Sequence, residues 1–251
     1  MSRAPKLPRN VVALDSVDST NAEAGRLAAA GAADGTLVWA RQQTAGYGRR
    51  GRAWVSPPGN LYCSLILRPD CPPIRAAQLG FVAALALAEA LDDILPPASE
   101  LAFKWPNDIL INRRKVAGIL LESSSGETGG LDWLILGLGV NIESFPDGVE
   151  FPATSLEAEG CGGASVVALL EAYGRCFQAW SERWRDRGFE PVRAAWFGRA
   201  VGVGEAIEVR LPAETLRGRF AELDAGGALV MELEDGRRRT VTAADVFAPA
   251  A

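Results

Sequence analysis

Between Gln42 and Trp54 the chain reads QQTAGYGRRGRAW. Glycines at 46, 48 and 51 let the backbone approach a ligand closely and expose its N–H groups. Arg49, Arg50 and Arg52 add charge matched to phosphate or carboxylate oxygens, and Trp54 offers a face on which a planar base can stack. The stretch is not a Walker loop, because no G-K-[ST] follows and no helical pattern begins there. Taken alone, it serves equally as a solvated basic hairpin tip. In FKWPNDIL, Lys104 stands at a strand end before the turn formers Asn107 and Asp108, where it faces either an anion or solvent. In LDWLILGLGVN, a period of two puts Trp133, Ile135, Gly137, Gly139 and Asn141 on one face and Leu134, Leu136, Leu138 and Val140 on the other. The leucine face reads as core. The glycine face reads as a groove with Asn141 at its end, or as the seat of a closely packed helix. In DSTN, Thr20 with Glu23 fits a helix-capping box, and a helix N-terminus also presents N–H groups to a ligand.

What is missing narrows the chemistry. The 251 residues include no histidine, which removes Ser-His and Cys-His nucleophile pairs, histidine acid–base catalysis and most zinc sites. Cys63, Cys71, Cys161 and Cys176 have no C-x-x-C spacing and read as small buried hydrophobes or reduced thiols. No metal site is expected. The four stretches supply anion-binding groups, a lysine, a shaped face and polar caps, but no nucleophile–base pair. That set suits a reaction whose charge resides on its substrates. In adenylation, a carboxylate that is already nucleophilic attacks the α-phosphate of ATP. The protein must then orient two anions and offset their repulsion.

The elements that must position these groups follow from periodicity and turn residues. VVALDSV, LVWARQQ and LYCSLIL read as strands, and TNAEAGRLAAAG as a short helix ending at Gly31. One long apolar helix is expected over 74–95, bounded by proline pairs. ELAFKW, DILINRRKVAGILLES with a turn at Asn112-Arg113, and LDWLILGLGVNI read as further strands, followed by helices over 165–187 and 190–198. From about 203 the chain changes to short strands, AIEVRL, TLRGRFAEL, ALVMELE and RRRTVTAADV, with DAGG and EDG as turns. The predicted fold is α+β: a mixed or antiparallel sheet packed with helices over 1–200, and a small β barrel over 201–251. The net charge of −5 argues against a dedicated nucleic-acid binder. The polar start MSRAPKLPRN and the absence of an apolar run of membrane-spanning length place the protein in the cytoplasm, with no membrane partner.

DSTN, QQTAGYGRRGRAW, KWPNDILINRRKVAGILLE and LGLGVNI, in this order, resemble the biotin protein ligases, and the matching motifs span about residues 15–155. The resemblance implies a class II synthetase-like catalytic domain with a C-terminal SH3-like domain. It also implies a two-step reaction: biotin and ATP, the latter with Mg2+, give biotinyl-5′-AMP, which acylates a lysine of a biotin carboxyl-carrier protein. Carried over by position, Ser19, Thr20, Asn21 and Gln43 would bind biotin, and Gly46, Tyr47, Gly48 and Arg49 would wrap the intermediate. Lys104 would bridge the biotin carboxylate and the α-phosphate. Gly118 and Asn141 would also line the site, Asn141 near the phosphates or ribose and Trp54 near the adenine. Lys104 and Arg49 are the expected catalytic pair. Tyr47 departs from the family loop, which commonly reads G-R-G-R-R-G. The pattern begins near Asn10, so no DNA-binding domain and no DNA partner are expected, and the chain is expected as a monomer or homodimer. A lipoate or octanoyl transfer enzyme of the same fold, and a non-catalytic biotin sensor, are the rival readings. The loop at 45–52 is expected to be mobile without ligand, because its arginines repel one another.

Overall fold

The computed structural model describes residues 10–126, 130–211, 214–242 and 244–247. The polar arm at 1–9, and residue 243 within the last expected strand, lie outside them. Strand β1 (Asn10–Leu14) leads through helix α1 (Thr20–Ala29) to β2 (Thr36–Ala40). The glycine–arginine loop follows, with one 3-10 turn at Arg49–Gly51, and then β3 (Leu61–Leu67). Helices α2 (Pro73–Ala76) and α3 (Leu79–Asp92) precede four strands: β4 (Leu101–Lys104), β5 (Asp108–Ile111), β6 (Arg114–Ser125) and β7 (Leu131–Val140). Helices α4 (Val166–Arg187) and α5 (Glu190–Phe197) complete the first unit.

These seven strands form one sheet in the order β1-β2-β3-β7-β6-β5-β4. Its β1–β2 pairing is parallel, with α1 as the crossover, and the other pairings are antiparallel. The leucine face of β7 is buried in the main core with α3, α4 and α5. Helix α3 is apolar nearly all round because it lies between the sheet and α4, whereas α4 buries one stripe, Leu169, Tyr173, Phe177 and Trp184. The single helix expected over 74–95 is corrected to two. Bonds of the i to i−3 kind at Gln78 and Gly80 tighten the chain between α2 and α3. The apolar stretch Pro73–Asp92 is long enough to span a membrane, but 67% of its apolar window is buried in this core.

The opposite face of the sheet carries a smaller cluster, Ala24 and Ala28 of α1 against Val38, Ile66 and Ile135. This packing fixes the start of α1 over the middle of β7.

The C-terminal unit is an antiparallel sheet of SH3-like kind, formed by β8 (Ala206–Arg210), β9 (Thr215–Leu223), β10 (Leu229–Leu233), β11 (Arg238–Val241) and β12 (Asp245–Phe247). It is fastened to the first unit in three ways. Residues 199–201 add to the edge of β4, through Phe103 N–H to Arg199 C=O at 2.8 Å and Val201 N–H to Phe103 C=O at 2.9 Å. Trp105 Nε1 donates to the Gly227 carbonyl at 3.0 Å. Phe220, Leu223 and Val246 belong to the same apolar core as α3 and α5.

Candidate active site

The N-cap of α1 is Ser19, whose backbone is extended and whose hydroxyl accepts from Ala22 N–H. This corrects the capping box expected at Thr20. With the cap one residue earlier, the Thr20 and Asn21 side chains are free to enter a network beneath the helix. Gln43 Oε1 accepts from both Thr20 N–H (2.8 Å) and Thr20 Oγ1 (3.1 Å), and Gln43 Nε2 donates to Ser56 Oγ (2.8 Å). The Ser64 hydroxyl donates to Asn21 Oδ1 (2.6 Å), and Asn21 Nδ2 donates to Glu122 Oε2 (2.7 Å). Tyr47 closes the chain by donating its phenol to Glu122, 3.0 Å from Oε2. Burial, with the Glu122 charge second, raises the Tyr47 pKa, so the phenol remains a neutral donor at neutral pH.

The glycine face of β7 borders the cavity, but each of its glycines is closely covered. A Cβ on Gly137 would collide with the Asn21 side chain, and one on Gly139 would stand 2.7 Å from the Trp54 indole. Gly139 pairs with Gly118 on β6, where a Cβ would also touch Trp54. Of the two readings of this face, close packing of a helix holds at Gly137. At Gly139 and Gly118, the glycines make a flat seat for an aromatic ring. The indole Nε1 of Trp54 is buried with no hydrogen-bond partner among the described residues.

Beyond Trp54 the site turns cationic. Lys115, displaced onto this face by an irregularity in the β5–β6 register, has its ammonium 5.2 Å from the Trp54 ring and paired to Asp108. Its backbone is braced on the outer side by Pro152 C=O (2.8 Å) and Thr154 N–H (2.9 Å). Lys104 Nζ lies 4.2 Å from the Phe151 ring centre and 5.3 Å from that of Phe247. No carboxylate among the described residues pairs with Lys104. Burial lowers its pKa, and Asp108 opposes that shift. The Arg49 guanidinium donates to Ala244 C=O at 3.0 Å and approaches Asn107 Oδ1 at 3.5 Å. Arg50 and Arg52 pair with Asp245 at 2.9 and 2.7 Å. The premise that the loop arginines simply repel one another is therefore corrected: a carboxylate from the last strand lies among them.

These groups enclose one cavity of about 310 Å³, of the size that takes a small molecule. Ser19, Thr20, Asn21, Gln43 and Tyr47 line one end, and Gly48, Arg49 and Lys104 the other. Trp54, Gly118 and Asn141 lie along it. Gly46 is not on the wall. It packs beneath the loop, where a Cβ would stand 2.7 Å from Gln43 Nε2 and Trp54 C=O. Asn141 spends most of its hydrogen bonds on the strand end, giving Nδ2 to Thr154 C=O (3.0 Å) and its own N–H to Val116 C=O (2.8 Å). Sequence reasoning missed Lys115, Asp108, Glu122, Phe151, Asp245 and Phe247. Lys115 had a signal, a basic residue opening a strand three positions before a site glycine. Phe151 arrives from a distant loop, and Asp245 and Phe247 from β12, and they had none.

Comparison with known proteins agrees with this arrangement. The profile of the Biotin/lipoate A/B protein ligase family matches residues 51–198, and that of the biotin protein ligase C-terminal domain matches residues 198–248. The chain is 44% identical to the biotin–[acetyl-CoA-carboxylase] ligase of Paracoccus denitrificans, over 92% of this chain and 97% of that one. It is 35% identical to the bifunctional ligase/repressor BirA of Bacillus subtilis, over 91% of this chain and 71% of that one. Among solved structures, the biotin protein ligase from Aquifex aeolicus in complex with biotin and ATP superposes with a TM-score of 0.80 at 27% identity, covering 96% of this chain and all of that one. By two matching domains in the expected order and near full-length identity to a ligase, the chain belongs to the biotin protein ligases.

Proposed function

We propose that the two ends of the cavity divide one reaction, the hydrogen-bonded end holding the ring system of biotin and the cationic end handling ATP. The reaction is ATP-dependent biotin ligation. Biotin and ATP give biotinyl-5′-AMP and pyrophosphate, and the mixed anhydride then acylates a lysine of a carrier protein. The observation that carries the division is the separation of charge. Thr20, Asn21, Gln43 and Tyr47 form a network with no cation, whereas Lys104, Lys115 and Arg49 converge beyond Trp54. A neutral urea ring suits the first set, and a carboxylate meeting a triphosphate needs the second.

Within this division, Ser19, Thr20, Asn21 and Gln43 hold biotin, with Tyr47 closing that end. Gly118 and Gly139 form the floor on which Trp54 lies, and Trp54 borders the acyl chain and the adenine. The bridging role assigned to Lys104 from sequence is shared with Lys115, whose ammonium over the glycine floor is better placed where carboxylate and α-phosphate meet. Lys104 then faces the outer phosphates, Asn141 the ribose side, and Arg49 with Gly46 to Gly48 the finished adenylate. Mg2+ accompanies ATP as part of that substrate.

The acceptor is the biotin carboxyl carrier of an acetyl-CoA carboxylase, in line with the Paracoccus ligase. With no histidine in the chain, transfer depends on the neutral fraction of the carrier lysine. Its rate rises between about pH 6.5 and 9, well below the ordinary lysine pKa of about 10.4. Residues 1–200 are the catalytic unit and 201–251 the β unit. The protein works in the cytoplasm, apart from DNA and membranes, as its net charge of −5 and free thiols suggest. ATP–pyrophosphate exchange tests the reading. It should require biotin, and exchange supported by lipoate instead would overturn it.

A further inference from the structure

The loop from Gln42 to Trp54 contains three arginines and no acidic residue. Its counter-charge comes from nearly 200 positions downstream. Asp245, the first residue of β12, takes Arg50 Nη1 at 2.9 Å on one oxygen and Arg52 Nη2 at 2.7 Å on the other, with Arg49 Nη1 3.9 Å away. Its side chain is only 16% exposed. Two further features mark this cluster as more than a surface ion pair. Arg50 adopts a left-handed backbone (φ 56°), a conformation that favours glycine. The side chain carried by this backbone ends on Asp245. The cluster is also incomplete, since three guanidiniums share one carboxylate and an excess of positive charge remains at the cavity mouth.

We infer that Asp245 is a positioning residue for adenylation. It fastens the arginine half of the loop over the cavity before an anion arrives, and it then shares those guanidiniums with the phosphate of biotinyl-AMP. The inference rests on the ligase reading and adds to it that the C-terminal unit supplies part of the lid. The unit can do so because it is joined to the first one, through the β4 edge and Trp105. The other half of the loop is fastened differently, by the neutral bond from Tyr47 to Glu122. Loss of Asp245 should therefore free the arginines without disturbing the biotin end.

The test is the dissociation rate of biotinyl-AMP from the full-length protein, with the KM values for biotin and ATP and labelling of a bystander protein. Asp245→Asn should speed release by a factor on the order of ten, the size of a lost charge-assisted contact. It should raise the KM for ATP, leave that for biotin near wild type, and biotinylate bystander lysines. Asp245→Glu should restore retention. Added salt should speed release from wild type and have little further effect on Asp245→Asn. Arg50→Gly provides a second arm. It relieves the left-handed backbone, so the protein should fold at least as well, yet release should still quicken. Normal adenylate synthesis with unchanged release in both variants would overturn the role of Asp245 alone. Failure of the wild-type protein to form biotinyl-AMP would overturn the ligase reading and this inference together.

Discussion

The two ends of the cavity hold their charges in opposite ways. At the hydrogen-bonded end a carboxylate, Glu122, is held by neutral donors, the Asn21 amide and the Tyr47 phenol. At the phosphate end Lys104 is held by aromatic faces, and three arginines divide one carboxylate. Polar groups at the first end are already paired with one another, so that end recognises by geometry and changes little when it fills. The second end is short of negative charge until a substrate supplies it. On the proposed division, selectivity belongs to the first end, and the binding energy that drives adenylation to the second.

The largest break in this comparison should come from Lys115. Lys115→Ala should slow single-turnover formation of biotinyl-AMP by a factor on the order of 10²–10³, the usual loss for one preorganised electrostatic donor. Lys104→Ala should act in the same direction, with the smaller effect of the two if Lys115 is the bridge. The order of the two rates decides which lysine stands between carboxylate and phosphate.

Gly137→Ala should damage the neutral end alone. The added methyl displaces Asn21 from Ser64 and Glu122. Overpacking of this kind costs about 1–3 kcal/mol, so the KM for biotin should rise by roughly tenfold while that for ATP holds. Equal rises in both would show that the ends are not separable. A smaller effect, of about fivefold on biotin KM, is expected for Tyr47→Phe, which leaves Glu122 one donor short at about 1 kcal/mol. An unchanged biotin KM in that variant would remove Tyr47 from the biotin end.

The gentlest change is in pH. Burial holds the Lys104 pKa below the ordinary lysine range. In the free protein the folded state therefore gives up this proton at a lower pH than the unfolded chain. Stability rises with pH between the two values, because the unfolded chain then binds more protons. A bound phosphate reverses the preference by favouring the ammonium. Adenylate affinity should thus begin to fall at a pH below the ordinary lysine range, and Lys104→Arg should abolish that early fall. Binding of biotinyl-AMP across the alkaline range checks both outcomes.

Much of this site was legible in the sequence because its parts are local. The alternation of LDWLILGLGVN puts leucines into the core and glycines on the other face by period alone, and β7 forms that way. The loop glycines and arginines announce an anion, and DSTN announces a helix start. What the sequence did not carry is what arrives from elsewhere. Thr20 and Ser19 are both good caps, and only the position of Gln43 beneath Thr20 assigns the cap to Ser19. Gly139 leaves a space, but nothing nearby says that Trp54 fills it. Lys115 reaches the site face through an irregularity in the β5–β6 pairing, which a strict period of two does not register. Asp245 meets the loop only because the second unit docks on β4.

The division between the ends is tested most directly by measuring Kd for biotin and for biotinyl-AMP side by side in Gln43→Ala and Arg49→Gly. Gln43→Ala removes the acceptor of Thr20 at the shared biotin end, so both affinities should fall by similar factors. Arg49→Gly removes a guanidinium that the proposed division gives to the phosphate and not to biotin, so biotin should bind as in wild type while the adenylate weakens and escapes. Equal losses for both ligands in Arg49→Gly, or unimpaired biotin binding in Gln43→Ala, would contradict the account.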